Sequence, residues 1–212
     1  EANTDDFDHG VDTTSMKTVW AFDTGDNTDA TIALDQEGSD ALALYTGTTV
    51  FSRSRRDGNA VIRRINALTG DEMWSFKVKA RYDAGERGGV KASPIIGQGE
   101  IGNLVIFTVN LTEEGAAMLA LDKRTGEQAW KVPLPEGAVS SPVAVYAPDG
   151  RVRVIQADLS GRLHLINGVT GQVIHTLDLG GTVEGSPAVY NDVLVIGTSS
   201  RDNNRMYGIR IE

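Results

Sequence analysis

A ten-residue phrase recurs along this chain and constrains its fold more than any other feature. The phrase has Asn or Asp at its second position, Thr-Gly at its fifth and sixth, and Trp at its tenth, and it occupies residues 65–74 and 121–130. A third copy at 166–175 keeps Thr-Gly but ends in His175, and a degenerate copy occupies 11–20. Recurrence at a regular interval predicts repeated structural units rather than one irregular core.

A second phrase recurs with a similar period. Ser-Pro pairs begin at Ser93, Ser141 and Ser186, separated by 48 and 45 residues, while the Thr-Gly pairs are 56 and 45 residues apart. Two independent markers recur with similar spacing, and periods near 40–50 residues indicate either propeller blades or a helical array.

The segments between the markers favour β-structure. They are short, rich in β-branched residues and bounded by Gly, Asp and Asn, and no window carries a sustained helical stripe of apolar residues. Each unit yields an inner strand after Ser-Pro, two middle strands and an outer strand with the Trp. The sequence therefore predicts an all-β fold, a β-propeller of four-stranded antiparallel blades, with about four blades in this chain. The segments that carry the pattern are 41–46, 104–109, 152–156, 162–166 and 193–197.

The two phrases have structural explanations. An Asx side chain can accept backbone amides in a tight hairpin, and the Gly after Thr tolerates positive φ. The Trp can cover the seam with a neighbouring blade, and Pro is tolerated at the first residue of the innermost strand. We expect these roles rather than catalytic ones.

The ends of the chain leave the number of blades in the complete ring open. Residues 206–210 align with 118–122, so the next Thr-Gly would fall beyond Glu212, whereas 17–22 reads as an outer strand. The chain could close alone, with that outer strand completing the last blade; two copies could form one ring; or the chain could belong to a longer ring, as the missing initiator Met suggests. We assign residues 1–14 to an acidic leader or degenerate repeat remnant and 15–212 to the blades.

Charge and composition exclude several classes of function. The chain has 20 basic and 29 acidic residues, a net charge of −9, which disfavours binding to nucleic acid or an anionic membrane surface. It has no cysteine, so disulfides, thiolate catalysis and zinc–cysteine sites are excluded. No apolar run approaches the roughly 20 residues of a transmembrane helix.

The recurring phrase resembles the docking motif A-x-D-x-x-T-G-x-x-x-W of the pyrroloquinoline-quinone (PQQ)-like propeller repeats, over about residues 12–212. One branch of that family, the quinoprotein dehydrogenases, binds PQQ and calcium; another, which includes the barrel-assembly lipoprotein, binds proteins. This chain lacks the cysteines that often contact the quinone, and we can assign no calcium ligands or catalytic aspartate. The resemblance therefore implies the non-enzymatic branch, without a cofactor.

Two charged loops are the main candidate sites. Asp23, Asp26, Asn27 and Asp29 supply oxygen atoms that could hold calcium, although the EF-hand spacing is absent and a solvated loop is the simpler interpretation. Five arginines flank an Asp-Gly turn, namely Arg53, Arg55, Arg56, Arg63 and Arg64. Alternate residues of a hairpin share a face, so Arg53 and Arg55 could form an anion-binding patch, although protection of an exposed strand edge by charge is the favoured interpretation.

The other polar residues do not form a recognisable catalytic or metal-binding pattern. His9, His164 and His175 lack ligand spacing, and Ser140, Ser141 and Ser186 lack the G-x-S-x-G context of a serine nucleophile. The glycine-rich loop at 85–89 lacks the strand–helix context of a phosphate-binding loop. We assign no catalytic, cofactor-binding or metal-ligating residue, and we expect partners to bind such loops.

These observations favour a non-catalytic, exported, extracytoplasmic interaction module that binds a protein or a surface polymer. Two alternatives are a reduced quinoprotein-like domain that binds PQQ and calcium, and a carbohydrate-binding or sensor module of a larger surface protein.

Overall fold

The fold was analysed in a computed structural model, which describes residues 7–12, 14–36, 42–200 and 204–211. The regular elements of this part of the chain are strands and a short 3-10 helix at Gly99–Ile101, joined by turns and loops. No helix within it has the length and apolar character to cross a membrane. The strands are β1 (Phe7–Asp12), β2 (Lys17–Asp23), β3 (Ala33–Asp35), β4 (Ala43–Gly47), β5 (Asn59–Asn66), β6 (Glu72–Lys79), β7 (Tyr82–Asp83), β8 (Glu86–Arg87), β9 (Gly89–Val90), β10 (Ile95–Ile96), β11 (Leu104–Thr112), β12 (Gly115–Asp122), β13 (Gln128–Leu134), β14 (Val143–Tyr146), β15 (Val152–Ala157), β16 (Arg162–Asn167), β17 (Val173–Asp178), β18 (Ala188–Tyr190), β19 (Val193–Gly197) and β20 (Met206–Arg210).

The strands form successive antiparallel blades, as the sequence predicts. Blade I is β3-β4-β5-β6, blade II is β10-β11-β12-β13 with β9 added beside β11, and blade III is β14-β15-β16-β17. Blade IV contains β18-β19-β20, and a two-stranded sheet, β1-β2, precedes blade I. The hairpin β7-β8 is inserted between blades I and II.

The Asx–Thr–Gly phrase forms the turn between the third and fourth strands of a blade. Asn66 Oδ1 accepts the backbone N–H groups of Leu68 (2.9 Å) and Thr69 (3.2 Å), and Gly70 has a φ of 77°. Asp122 and Asn167 make the corresponding bonds in blades II and III. The phrase therefore encodes a local hairpin, which explains why it could be recognised from sequence.

Each Trp at the end of the phrase closes the seam with the next blade. Its Nε1 donates to the carbonyl of the residue that follows the next Asx, and its ring lies against the next Thr-Gly glycine. A Cβ on Gly126, for example, would lie 2.7 Å from a Trp74 ring carbon, so this position admits no side chain without a shift. The three bonds are Trp20 to Ala67 (3.0 Å), Trp74 to Lys123 (2.8 Å) and Trp130 to Gly168 (3.1 Å).

The Ser-Pro phrase links the inner strands of neighbouring blades. Ser141 Oγ accepts the backbone N–H of Ser93, and Ser186 Oγ accepts that of Ser141, both at 2.9 Å. The proline was expected at the start of an inner strand, whereas the role of the serine hydroxyl as an acceptor between blades was not.

Apolar side chains fill the seams between blades. Tyr45 of blade I packs in one cluster with Phe107 and Leu119 of blade II, and all three are buried. Separate clusters join blade II to blade III and blade III to blade IV. The core therefore lies between sheets, as a propeller requires.

The two ends of the described chain are incomplete blades. The strand β2 pairs with β1, with Gly10 opposite Trp20, so completion of the last blade by residues 17–22, one of the three possibilities that the sequence leaves open, is not seen in the described part of the chain. Residues 7–12, which the sequence assigned to a leader or repeat remnant, form β1; residues 1–6 and 13 lie outside the described residues.

The seam between blades III and IV differs because His175 stands where Trp closes the others. A cavity of about 120 Å³ lies there, lined mainly by apolar side chains that include Leu165, Leu177 and Ile209, together with His175. His175 is exposed at this seam, whereas Trp130 is buried at the seam between blades II and III.

Candidate interaction surface

Three loops meet on one face of blade I. Because neighbouring strands in a blade run in opposite directions, loops between the second and third strands leave the same face as loops that lead to the next blade. Residues 24–32, 48–58 and 80–88 are such loops, and we call them together the loop cluster. Thr49 N donates to Asn27 O (2.8 Å), and Val50 N donates to Gly88 O (2.7 Å). The acidic loop, the arginine-rich loop and the glycine-rich loop, which were separate candidate sites in the sequence, therefore contact one another.

The central loop of the cluster is an enlargement specific to blade I among the blades whose connections are fully described. The second and third strands are joined by residues 48–58 in blade I, by 113–114 in blade II and by 158–161 in blade III. The tight turns show that the repeat itself does not require a long connection here. A long ordered loop on a rigid scaffold is a common location for a binding site.

Asp26 organises this loop. The residue is 1% exposed, and its Oδ1 accepts the N–H groups of Asn27 (2.9 Å) and Ser52 (3.0 Å). Its Oδ2 accepts those of Phe51 (3.1 Å) and Ser54 (3.0 Å), together with the Ser54 hydroxyl. Burial raises the pKa of Asp26, but the hydrogen bonds from Ser54, Ser52 and Phe51 outweigh it and lower the pKa below its ordinary value. An ionised carboxylate therefore holds the loop.

Four side chains of the cluster form an arginine–aromatic stack. The Arg55 guanidinium lies over the Tyr82 ring, 4.3 Å from its centroid, and the Arg87 guanidinium lies over Phe51 at 4.4 Å. The two rings contact each other with centroids 6.1 Å apart. Arg87 also pairs with Asp29 (3.3 Å). Cation–π contacts thus hold two guanidinium groups against aromatic rings in the loop cluster.

The other arginines of the basic stretch have different roles. Arg53 makes two bonds of 2.9 Å to Asp23. Arg63 and Arg64 lie on β5, which pairs with β4 on one side and β6 on the other, so the suggestion that they protect an exposed strand edge is wrong. Arg63 bonds Glu72 (3.0 Å), while Arg64 is buried and donates to the Lys123 carbonyl (2.9 Å).

The acidic loop residues do not converge on a common point as calcium ligands would. Asp26 is surrounded by hydrogen-bond donors, while Asp23 and Asp29 face arginines. No group of three His, Cys, Asp or Glu side chains in the described ranges is arranged for a metal. Asp35, the last residue of the innermost strand of blade I, pairs with Lys123 (3.2 Å). The carboxylate oxygens of these aspartates are bonded to backbone amides, arginines or a lysine, and this arrangement does not fit the ligands of a calcium ion that holds a quinone.

The structure brings together one polar trio that the sequence did not reveal. His164 bonds Asp158 through Nε2 (2.9 Å) and Thr176 through Nδ1 (3.2 Å). Asp158 is fully buried and also accepts the Ser160 N–H, the Ser160 hydroxyl and the Arg162 N–H, so it organises the turn between β15 and β16. Burial raises its pKa, but these bonds, led by that from His164, lower the pKa overall. These three residues stabilise blade III. The only signal for them in the sequence is the tight turn at Ser160-Gly161.

The remaining candidate residues also occupy structural positions. Ser140 Oγ donates to the Ala157 carbonyl (3.1 Å), and Ser141 and Ser186 make the inter-blade bonds described above. His175 lines the cavity between blades III and IV, and His9 lies on β1.

A family model described as outer membrane protein assembly factor BamB matches residues 9–130 and, in a second match, 113–212. The chain belongs to this family. The PQQ-like repeat expected from the sequence is thereby confirmed. No curated protein matches the chain.

Several solved structures share the fold of this chain. BamB from Moraxella catarrhalis is 19% identical, with a TM-score of 0.61 over 92% of this chain and 50% of its own. BBS1N, solved in complex with ARL6DN, is 12% identical, with a TM-score of 0.65 over 98% of this chain and 59% of its own. The quinohemoprotein alcohol dehydrogenase ADHIIG from Pseudomonas putida HK5 is 14% identical, with a TM-score of 0.63 over 89% of this chain and 40% of its own. The chain spans about half the length of these relatives, and at such identities the likeness shows the fold alone.

Proposed function

We propose that this chain is a non-catalytic, exported module that binds a partner protein through the loop cluster. The observation that carries the proposal is the loop organised by Asp26, which presents arginines and aromatic rings on a rigid blade. Arginine and tyrosine are enriched among the residues that dominate protein–protein binding energy. A preorganised loop also loses little conformational entropy on binding.

The family supports both the type of partner and the location. Its description names an assembly factor for outer membrane proteins, which acts on proteins and beyond the cytoplasmic membrane. We infer the same for this chain, with residues 15–212 as the repeat region and the segment before it as a remnant of a repeat. The loop cluster lies on a face of blade I and not at the β20 edge, so completion of the ring by more chain or by a second copy would leave it accessible.

The alternatives receive less support. A quinoprotein activity would need metal ligands, and the carboxylates of the acidic loop bond to arginines and backbone amides. A sugar-binding platform would need open aromatic faces, whereas Tyr82 and Phe51 each have a guanidinium over the ring.

Site-specific photocrosslinking tests the proposal. A diazirine amino acid at Arg56, in the loop cluster, is compared with one at Arg124, an exposed residue in a turn on the opposite face. Both proteins are incubated with the extracytoplasmic fraction of the source organism, and the adducts are identified by mass spectrometry. We expect one recurrent protein adduct at position 56 that is absent at 124. Equal labelling at both positions, or dye reduction after addition of PQQ and calcium, would contradict the proposal.

A further inference from the structure

We propose that the loop cluster recognises an acidic segment of its partner, in which closely spaced Asp or Glu carboxylates bind Arg55 and Arg56. This inference rests on the proposed function and specifies the chemistry of the partner.

The charge pairing within the cluster leaves these two arginines available. Arg53 is bonded to Asp23 and Arg87 to Asp29. Among the residues that the structure describes, neither Arg55 nor Arg56 has a carboxylate within ion-pair distance, and both side chains are exposed. Two arginines that are consecutive in sequence and lack a carboxylate partner in the described part of the chain thus add positive charge to this loop, on a chain whose net charge is −9.

The geometry of Arg55 suits bidentate recognition of a carboxylate. Its guanidinium carbon lies over the Tyr82 ring, 4.3 Å from the centroid, so contact with the ring positions the group without using its N–H donors. A guanidinium makes paired, charge-assisted hydrogen bonds to a carboxylate through that edge. Because the stack and Asp26 hold the loop before binding, most of the cost of ordering it is already met.

The surroundings favour a short acidic peptide over a long polyanion. A polysaccharide or nucleic acid would bring many charges close to a chain with an excess of acidic residues, and long-range repulsion would oppose it. A peptide segment presents a few carboxylates locally, and its apolar atoms can contact the partly exposed parts of Phe51 and Tyr82.

Binding to defined peptides tests the inference. The probe is a fluorescein-labelled 12-residue Gly-Ser peptide that contains two adjacent Glu pairs, and the matched control peptide has Gln at the same positions. Fluorescence anisotropy is measured with the whole chain at low and moderate salt. We expect the Glu peptide to bind at least about ten-fold more tightly than the Gln peptide, with affinity falling as salt rises.

Variants of the protein locate the site. Arg55→Gln and Arg56→Gln are each expected to weaken binding of the Glu peptide by about ten-fold, whereas Arg124→Gln on the opposite face leaves binding unchanged. Arg55→Lys keeps the charge but loses the planar stack, and we expect it to recover only part of the affinity. Thermal unfolding of each variant is measured to show that the fold is intact.

Three outcomes would overturn the inference: equal binding of the Gln peptide, an equal loss on Arg124→Gln, or stronger binding of polygalacturonate than of the peptide at matched carboxylate concentration. If position 56 crosslinks a partner while the Glu peptide fails to bind, the acidic chemistry is wrong and the protein-binding function stands. Absence of both results would refute both proposals.

Discussion

Replacing Asp26 by Asn tests whether one buried carboxylate builds the loop cluster. The amide NH₂ that replaces one oxygen can no longer accept from the donors now shared by Oδ2, namely Phe51 N, Ser54 N and the Ser54 hydroxyl. Hydrogen bonds to charged groups contribute about 1.5–3 kcal/mol each. Water can replace part of this because Ser52 and neighbouring positions are exposed, so we expect a loss of about 3 kcal/mol in the local stability of the loop.

Hydrogen–deuterium exchange measures this loss directly. At about 1.4 kcal/mol per ten-fold change, amides of residues 51–54 should exchange roughly 100-fold faster in Asp26→Asn, while those of blade III stay unchanged. Asp23→Asn is the matched control, because Asp23 and its partner Arg53 are each about half exposed and such surface pairs contribute at most about 1 kcal/mol. If residues 51–54 exchange equally fast in Asp26→Asn and in the wild-type protein, the carboxylate does not organise the loop.

The lowered pKa of Asp26 adds a pH dependence to the same perturbation. A carboxyl whose folded pKa lies below its unfolded value stabilises the folded state above the unfolded pKa, and this stabilisation is lost as pH falls through the folded pKa. The wild-type loop should therefore open as the solution is acidified below about pH 4, after correction for intrinsic exchange rates. The Asn variant should lack this dependence at the loop.

Three further substitutions test the packing of the blades by chemical denaturation. Gly126→Ala, at a φ of 75° and with its Cβ 2.7 Å from a Trp74 ring carbon, should destabilise by about 2–3 kcal/mol, whereas Gly185→Ala, which has no neighbour within 4 Å, should change stability by less than about 0.5 kcal/mol. Tyr45→Phe removes a buried hydroxyl without a hydrogen-bond partner among the described residues and should leave stability equal or raise it by about 1 kcal/mol. Burial raises the pKa of Tyr45 to about 12, so the variant should also lose the stability decrease that the wild type shows as pH rises from about 10 to about 12. His175→Trp should fill the 120 Å³ cavity and add about 0.5–2 kcal/mol, and a decrease in stability would show that the indole is not accommodated there.

The sequence could predict the blade because the relevant interactions are local. The Asn66 side chain accepts the N–H groups of Leu68 and Thr69, two and three residues further along the chain, and the positive φ of Gly70 follows from the same turn. Residue type and spacing therefore determine the hairpin, and repetition of the hairpin determines the fold. The closure by Trp follows from the same period, since each indole reaches the next copy of the phrase.

The loop cluster could not be predicted in the same way because its contacts are distant in sequence. Asp26 bonds Ser54, Arg53 reaches back to Asp23, and Arg87 reaches Asp29. The sequence identified the acidic loop and the arginines as separate candidates, but only the packing of blade I against its neighbours brings them together. These contacts also change the role assigned to the carboxylates. They could have been calcium ligands, but they pair with arginines and accept backbone N–H groups instead.

A comparison of the two buried aspartates indicates where function lies in this repeat. In blade III, Asp158 holds its own tight turn, with Ser160 and Arg162 as its nearest donors along the chain. In blade I, a buried carboxylate again caps the connection between the second and third strands, but it comes from the preceding loop and holds an enlarged one. The longer connection adds backbone that must be ordered, at about 1–2 kcal/mol per residue, while only Val50 of residues 48–58 joins the apolar cluster between blades I and II. We infer that binding offsets this cost, because the enlarged loop places Arg55 over Tyr82 at the surface, where a partner can contact it. In a fold whose seams are set by repetition, the connection that departs from the repeat is the place to look for the partner.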